Sequence, residues 1–576
     1  MTRLLKYVEP YILMVIIAIM LLFGQATCDL ALPDFMSDIV NKGISNGDSG
    51  YIIKVGLQML GVSLISATCA VAVGYIASKI AAGMSQSLRN DIFEKVERFS
   101  NAEFDKFSTS SLITRTTNDI TQIQTLVVMI IRIVFYAPIM GIGGFVHALA
   151  NSKSMSWIIA LSLITLIGII MTMFTLSMPK FKVIQSLVDK LNLVVRENLD
   201  GMLVIRAFNT QKFEEDRFDK ANKDLTNTNL FVNRVTAGMM PAMMLLMNLI
   251  TVLIVWVGSN QVSAFKMDVG EMMAYMQYVI QIISAFLMMS MMFIMIPRAS
   301  VSATRLADVL ETEPSIKNSE SSIKKSNRFD GTIEFRNVCF SYPGAEEDVL
   351  HNISFTAKPS ETTAFIGSTG SGKSTLINLI PRFYDATSGE VLIDGINVKD
   401  IDLHELRSNL GYVPQKGILF SGTIKSNISY ADKNSTDEEI LRASNIAQAM
   451  EFIDSKPERF ETPIAQGGNN VSGGQKQRLS IARAIVKNPQ ICIFDDSFSA
   501  LDFKTDAALR KAIKAEIGSS TILLVAQRIS TIMNAEQIIV LDNGKIVGKG
   551  THEELMKNCE IYSEIALSQL SKEELE

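Results

Sequence analysis

Six apolar runs of bilayer-crossing length, all within the first 300 residues of a 576-residue chain, set what this polypeptide can fold into. They lie near 11–36, 56–80, 125–150, 156–178, 237–259 and 271–297. A hydrocarbon core about 30 Å thick is crossed by about 20 apolar helical residues, and backbone in it must satisfy its own hydrogen bonds. Each run therefore predicts a transmembrane helix. The apolar fraction of 48% is concentrated there, so the chain reads as a membrane half joined to a soluble half. Arg3 and Lys6 precede the first run, but no small-residue cleavage site follows it, which predicts a first span rather than a removed signal peptide.

The segments between the runs alternate in character. Those near 37–54, 151–155 and 260–268 are short; those near 79–120 and 180–234 are long, charged and helical in pattern. The N-terminal tail and the two long segments hold eighteen Lys and Arg residues against four in the short segments. The positive-inside rule then puts both termini and both long segments in the cytoplasm. Apolar periodicity runs unbroken from the spans into these segments, predicting helices that project beyond the bilayer. Two stretches interrupt them, Glu103–Asp119 and Glu197–Asn209. Each reads either as a short crosswise helix docked on a soluble domain or as solvated loop.

Methionine crowds the last two spans: Met239, Met240, Met243, Met244 and Met247 in the fifth, Met288, Met289, Met291, Met292 and Met295 in the sixth. Such side chains suit either a pocket for variably shaped apolar ligands or ordinary packing. Arg132, inside the third run, must reach a wet cavity or snorkel to the inner surface. Net charge is −5 with no basic block, so no nucleic-acid partner is expected, and the five cysteines have no C-x-x-C spacing to suggest a disulfide framework or zinc site.

A polar linker over 311–330 separates a membrane domain, 1–310, from an α/β domain, 331–576. That second domain carries Gly367, Ser368, Thr369, Gly370, Ser371, Gly372, Lys373 and Ser374, matching the pattern G-x-x-x-x-G-K-[ST], with Thr375 next in the nucleotide-binding stretch. An apolar run of strand length precedes it and a helical run follows, the context a phosphate cradle needs. Glycine permits backbone N–H groups to converge on phosphate, the helix N-terminus adds positive potential, Lys373 can reach the β- and γ-phosphates, and Ser374 can ligate Mg2+. ATP and Mg2+ are the expected cofactors. Ile491–Asp496 is an apolar run ending in two carboxylates, of which Asp495 is the expected metal ligand. Ser472, Gly473, Gly474 and Gln475 open a helical run with Lys476, Arg478 and Arg483, and read as a second phosphate cradle, serving another copy's ATP, or as a buried structural cap.

The order of these motifs, together with Gly411–Gln415 and Ser499–Asp502 behind six spans, resembles an ABC exporter half-transporter of the multidrug (B-type) group. The resemblance implies a membrane all-α six-helix exporter domain fused to an α/β P-loop nucleotide-binding domain. It also implies that Tyr342 stacks on adenine, that Gln415 senses Mg2+ and the membrane half, and that Ser472–Gln475 close over a partner's γ-phosphate. The two interrupting stretches would be coupling helices, and two nucleotide domains would clamp two ATP molecules to switch the spans between inward-facing and outward-facing states.

The chain departs from that family at two positions that act on the γ-phosphate. Asp496 stands where Glu usually orients the attacking water, and Gln527 where His usually precedes Arg528. One methylene is roughly 1.5 Å of reach, and Gln can hydrogen-bond phosphate but cannot carry a proton. Val471 replaces the usual Leu, and Ala465-Gln466 an expected Gly-Glu pair. The cradle motifs are intact, so the pattern predicts one half of a heterodimer with a degenerate site in this chain and a competent site shared with a different half-transporter. A self-sufficient homodimer and an ATP-gated channel or regulatory subunit are the competing readings. The remaining expectations are a lipid membrane partner, a lipophilic small-molecule substrate, and a multi-pass place in a bacterial plasma membrane.

Overall fold

In the computed structural model, the described residues are 6–319, 323 and 328–570. Among the described residues, six helices are long and apolar enough to cross a bilayer: Glu9–Ile44, Ser49–Glu97, Thr109–Asn151, Lys153–Asp200, Gln211–Ser263 and Val269–Ser290. The chain divides into two compact units. The first comprises Met1–Val96 and Ser110–Glu311, the second Glu97–Thr109 and Thr312–Glu576. Residues 320–322 and 324–327 of the expected linker lie outside the described residues.

The first unit is all-helical, and its core gathers on the sixth span. Tyr275 and Tyr278, fully buried, donate their hydroxyls to the carbonyls of Met155 at 2.8 Å and Leu30 at 3.0 Å, so burial of these large rings leaves no polar atom stranded. Gly144 lets the third span approach the sixth closely: a Cβ there would sit 3.0 Å from Ile282. The methionines split between environments, Met243 and Met292 buried, Met240, Met244 and Met288 exposed. The side chain of Met291 lies outside the described residues. Pro138, Ile170, Met171, Phe286, Met289 and Met292 line an apolar cleft among the third, fourth and sixth spans. Arg132 occupies a single π-helical turn, Ile130–Val134, with its side chain exposed.

The second unit is built on two sheets. Strands β1 (Ile333–Phe340), β2 (Leu350–Ala357), β4 (Ser388–Ile393) and β5 (Ile396–Asn397) form an antiparallel sheet in the order β2-β1-β4-β5. Strands β3 (Thr362–Gly367), β6 (Leu410–Val413), β9 (Ile491–Asp495), β10 (Thr521–Val525), β11 (Gln537–Asp542) and β12 (Lys545–Gly550) form the other in the order β12-β11-β3-β10-β9-β6. A two-strand pair, β7 (Gly422–Thr423) and β8 (Pro463–Ile464), completes the set. In the six-strand sheet all neighbours are parallel except β11 and β12. Every residue of β9 and β10 is buried, which explains their unbroken apolar runs: a parallel sheet is covered on both faces.

Both interrupting stretches contain a short helix, with different surroundings. Asn101–Phe107 belongs to the second unit and is tied into it. Glu103 Oε2 accepts from the Ser100 N–H at 2.8 Å and its hydroxyl at 2.6 Å, while Oε1 accepts from the Ser315 N–H at 3.1 Å. Tyr384 donates its hydroxyl to Asp105 Oδ2 at 3.2 Å, and the rings of Phe99 and Phe107 stack at 5.8 Å. Ser108, with φ of 54°, ends the helix before the chain restarts at Thr109. Met202–Ala207, by contrast, buries no residue, and Leu203 is 82% exposed.

Glu103 thus holds three donors with one carboxylate. Stranding such donors costs about 1–3 kcal/mol, so Glu103→Ala is expected to speed amide exchange across Asn101–Phe107 by roughly fivefold or more. Hydrogen-exchange mass spectrometry of the full chain tests this, and unchanged protection would refute the anchoring role.

Candidate nucleotide site

The site assembles at the C-terminal ends of three adjacent parallel strands, where open α/β sheets bind ligands. β3 ends in Gly367, β9 in Asp495, and Gln527 follows β10 by two residues. Gly367 must be glycine, because a Cβ there would lie 2.0 Å from the Leu541 carbonyl oxygen. Gly370 and Gly372 take φ of 87° and 93°, values L side chains rarely adopt, and the loop then enters the helix Lys373–Asn378. A Cβ on Gly370 would meet nothing within 4 Å, so the space beside the loop at this position is open.

Lys373 bends over that space. Its Nζ donates to the carbonyls of Gly367 at 2.9 Å and Ser368 at 2.7 Å, and reaches Ser371 Oγ at 3.3 Å. Burial holds the amine below the ordinary lysine range, and the charges of Asp496 and Asp495 partly restore it. An arriving phosphate offers a better partner than neutral carbonyls. Ser374 donates its hydroxyl to Asp495 Oδ1 at 2.8 Å, so two of the three residues expected at the metal, Ser374, Asp495 and Gln415, already face each other. Burial pushes the Asp495 carboxyl above the usual range; Asp496 adds to the shift, against the Ser374 hydrogen bond and Lys373. A hydroxyl beside two buried carboxylates with one nearby ammonium fits a hard divalent cation, and Ser374 and Asp495 would hold it.

Asp496 has φ of 45° and its N–H donates to the Val525 carbonyl at 3.0 Å, which turns its side chain across the strand ends. Its Oδ2 accepts from Gln527 Nε2 at 2.7 Å and from Gln415 Nε2 at 3.3 Å. Burial raises this carboxyl too, opposed by hydrogen bonds from Gln415 and Ser499, Lys373 and the bond from Gln527. Gln415, Asp496 and Gln527 thus form one knot.

Tyr342 follows β1, meets Phe340 and Tyr384 edge-on at 5.0 and 5.3 Å, and shares a 2.9 Å hydroxyl contact with Thr375. The ring is joined to the P-loop helix through Thr375, the residue after the motif's Ser374. Sequence reasoning missed Tyr384, which contacts both Tyr342 and Asp105; the available signal was the run Arg382-Phe383-Tyr384-Asp385 just past the P-loop helix. Ser472, Gly473, Gly474 and Gln475 lie apart from this assembly, with no hydrogen bond to Gly367–Thr375 among the described residues. Ser472 caps the helix Gly473–Ile485: Gln475 N–H donates to Ser472 Oγ at 3.3 Å, and Ser472 N–H to Gln475 Oε1 at 3.0 Å. Ser472 and Gly473 are exposed. The cap therefore leaves the surface of this turn open.

Because both carboxyls are raised in the fold, the ATP-free protein gains stability as pH falls toward the unfolded-state value near 4 and loses it as pH rises through the folded-state value. Asp495→Asn removes one buried charge while keeping an acceptor for Ser374. The variant is expected to unfold about 2–4 °C higher than wild type at pH 7 without nucleotide, and to lose the further rise produced by ATP with Mg2+. Differential scanning fluorimetry of the full chain in lipid checks both; a lower transition without nucleotide would contradict the assignment.

Residues 15–286 match the family model for the ABC transporter transmembrane region, and residues 350–499 match that for the ABC transporter. An uncharacterized ABC transporter ATP-binding protein of Mycobacterium tuberculosis is 40% identical over 98% of this chain and 97% of its own length. An ATP-dependent lipid A-core flippase of Pseudomonas aeruginosa is 31% identical over 98% and 95%. The solved structure of a bacterial Atm1-family ABC exporter with ATP bound shares the fold, with a TM-score of 0.80 over 96% of this chain and 97% of that one, at 23% identity. With a six-span transmembrane region and one ATP-binding domain on a single polypeptide, the chain belongs to the ABC transporter family.

Proposed function

We propose that this chain is a subunit of an ATP-driven exporter that moves lipophilic substrates, drugs or lipids, out of the cytoplasm or the inner leaflet. Its own P-loop forms a slow, degenerate site, and its Ser472–Gln475 turn completes the competent site of a different half-transporter. The observation that carries the degenerate site is the knot at Asp496, whose Oδ2 takes amide donors from Gln527 and Gln415. A general base needs a free lone pair and a partner able to share the proton. Here one oxygen is occupied by two amides, neither of which can accept a proton, and the carboxylate stands one methylene short. A misplacement of about 1 Å can cost on the order of 10²-fold in rate.

The same geometry favours tight holding of nucleotide. Lys373 exchanges carbonyl partners for phosphate oxygens, the P-loop N–H groups converge on the phosphates, and Tyr342 offers its ring to adenine. Ser374 and Asp495 hold Mg2+ with Gln415 beside them; bound Mg2+ supplies charge stabilisation for the phosphoryl group. Export of lipophilic cargo is supported by the apolar cleft at Met289 and Met292 and by the flippase among the relatives. The excess of Lys and Arg at the N-terminus and in the long segments supports a cytoplasmic nucleotide unit, and the bacterial relatives support a bacterial plasma membrane. A homodimeric exporter is the second reading, favoured by the presence of P-loop and cradle on one chain.

ATPase turnover of the purified chain in lipid separates them, compared with Asp496→Glu and with Asp496→Glu plus Gln527→His. Near-silent wild type, with the double variant raised by on the order of 10²-fold, supports the degenerate site. Ordinary turnover by wild type alone would overturn the heterodimer and leave the homodimer. Vectorial uptake into inverted vesicles, lost with a hydrolysis-dead partner, supports export; passive flux under ATP without hydrolysis would instead favour a gated channel.

A further inference from the structure

Polar groups within apolar spans are costly and call for a reason. Within the first unit, several meet where the first, second, third and sixth spans converge. Asp29 lies seventeen residues past Ile12, about 26 Å along the helix, in the second half of the first span, Glu9–Ile44. Its Oδ1 accepts the Ser66 hydroxyl at 2.6 Å, and its Oδ2 the Tyr136 hydroxyl at 2.6 Å. Gln281 Nε2 donates to the Asp29 carbonyl at 3.2 Å. Tyr278, which donates to the Leu30 carbonyl, stands 3.4 Å from His147 Nδ1, and that nitrogen lies 3.3 Å from Asp34 Oδ2.

The balance of this group is one-sided. Two carboxylates bring acceptors only, and each oxygen can take more than one donor. Gln281 Oε1 is buried without a hydrogen-bond partner. Among the described residues no basic side chain pairs with Asp29, and the ring of His147 faces Asp34. What would complete the group is therefore a positive charge bearing N–H donors. In the apolar cleft lined by Pro138, Phe286 and Met289, Pro138 stands two residues past Tyr136 on the third span and Phe286 five residues past Gln281 on the sixth.

We propose that Asp29, with Gln281 and Asp34, forms a binding site for the protonated amine of an amphipathic substrate whose apolar body lies along that cleft. The inference rests on the export reading and names its cargo: a lipophilic primary or secondary amine. An anionic amphipath meets two carboxylates there and is disfavoured, and a quaternary ammonium lacks the donors that Gln281 Oε1 needs. If the group were only a structural tie between spans, Tyr136 and Asp29 would be equally important and ligand charge would not matter.

The test is equilibrium binding of dansylcadaverine, a fluorescent primary amine, to the full chain in lipid nanodiscs without ATP, beside its N-acetyl and N-trimethyl derivatives. Binding needs neither turnover nor a partner chain, so a silent ATPase bears on the export reading alone. The amine is expected to bind roughly tenfold or more tighter than either derivative, and Asp29→Asn to abolish that preference. Tyr136→Phe, which keeps the charge, should leave it within about threefold. Gln281→Met, which removes the orphan acceptor, should weaken the amine several-fold and carries the test if Asp29→Asn fails to fold. The proposal is overturned if the amine does not bind above empty nanodiscs, if the derivatives bind as well as the amine, or if Tyr136→Phe loses as much as Asp29→Asn.

Discussion

The nucleotide unit depends on a dry parallel sheet that delivers charged groups at its edge. β9 and β10 are buried along their whole length, so Asp495 and the residues after β10 emerge from an apolar layer with little freedom to shift. Low local polarity makes each ionic contact there stronger and each unpaired charge more costly. That one constraint explains the raised carboxyls, the Ser374–Asp495 pairing and the bent Lys373: the groups satisfy one another and are arranged for a ligand that satisfies them better. The antiparallel sheet then fixes Tyr342 at the mouth of the site, held by Phe340 and Tyr384.

Much of this was legible in the sequence because it rests on local rules. Span length, strand-to-loop-to-helix context and glycine requirement are each encoded within a few tens of residues. The P-loop, the apolar run ending in Asp495, and the six spans are therefore readable from the sequence alone. The two interrupting stretches were ambiguous because a short helix gains its stability from what it docks on, and periodicity says nothing about the dock. Glu103 meets Ser315 across more than 200 residues, a pairing no local pattern reports. The Asp496–Gln527 contact was likewise invisible. Each residue stood out as a departure, but their mutual hydrogen bond follows from the β9–β10 register, which brings Asp495 opposite Val525.

Polar residues in the spans show the same limit from the other side. Asp29 is a conspicuous charge in an apolar run, yet its meaning depends on Ser66, Tyr136 and Gln281, which lie on three other helices. Arg132 announces itself equally well in the sequence but ends exposed on a π-helical turn. A charge in a span is thus a reliable marker of position and a poor one of role until its neighbours are known.

The docked helix Asn101–Phe107 also has a consequence for how the protein is made. Asp105 leaves the ribosome 279 residues ahead of Tyr384, its partner in the finished unit. At 5–20 residues per second the delay is roughly 14–56 s, during which four more spans are inserted. Throughout that interval the helix lacks the contacts that Ser315 and Tyr384 supply in the finished unit. Biogenesis therefore passes through a stage in which this stretch of the nucleotide unit has been made but still lacks the partners that stabilise its helix.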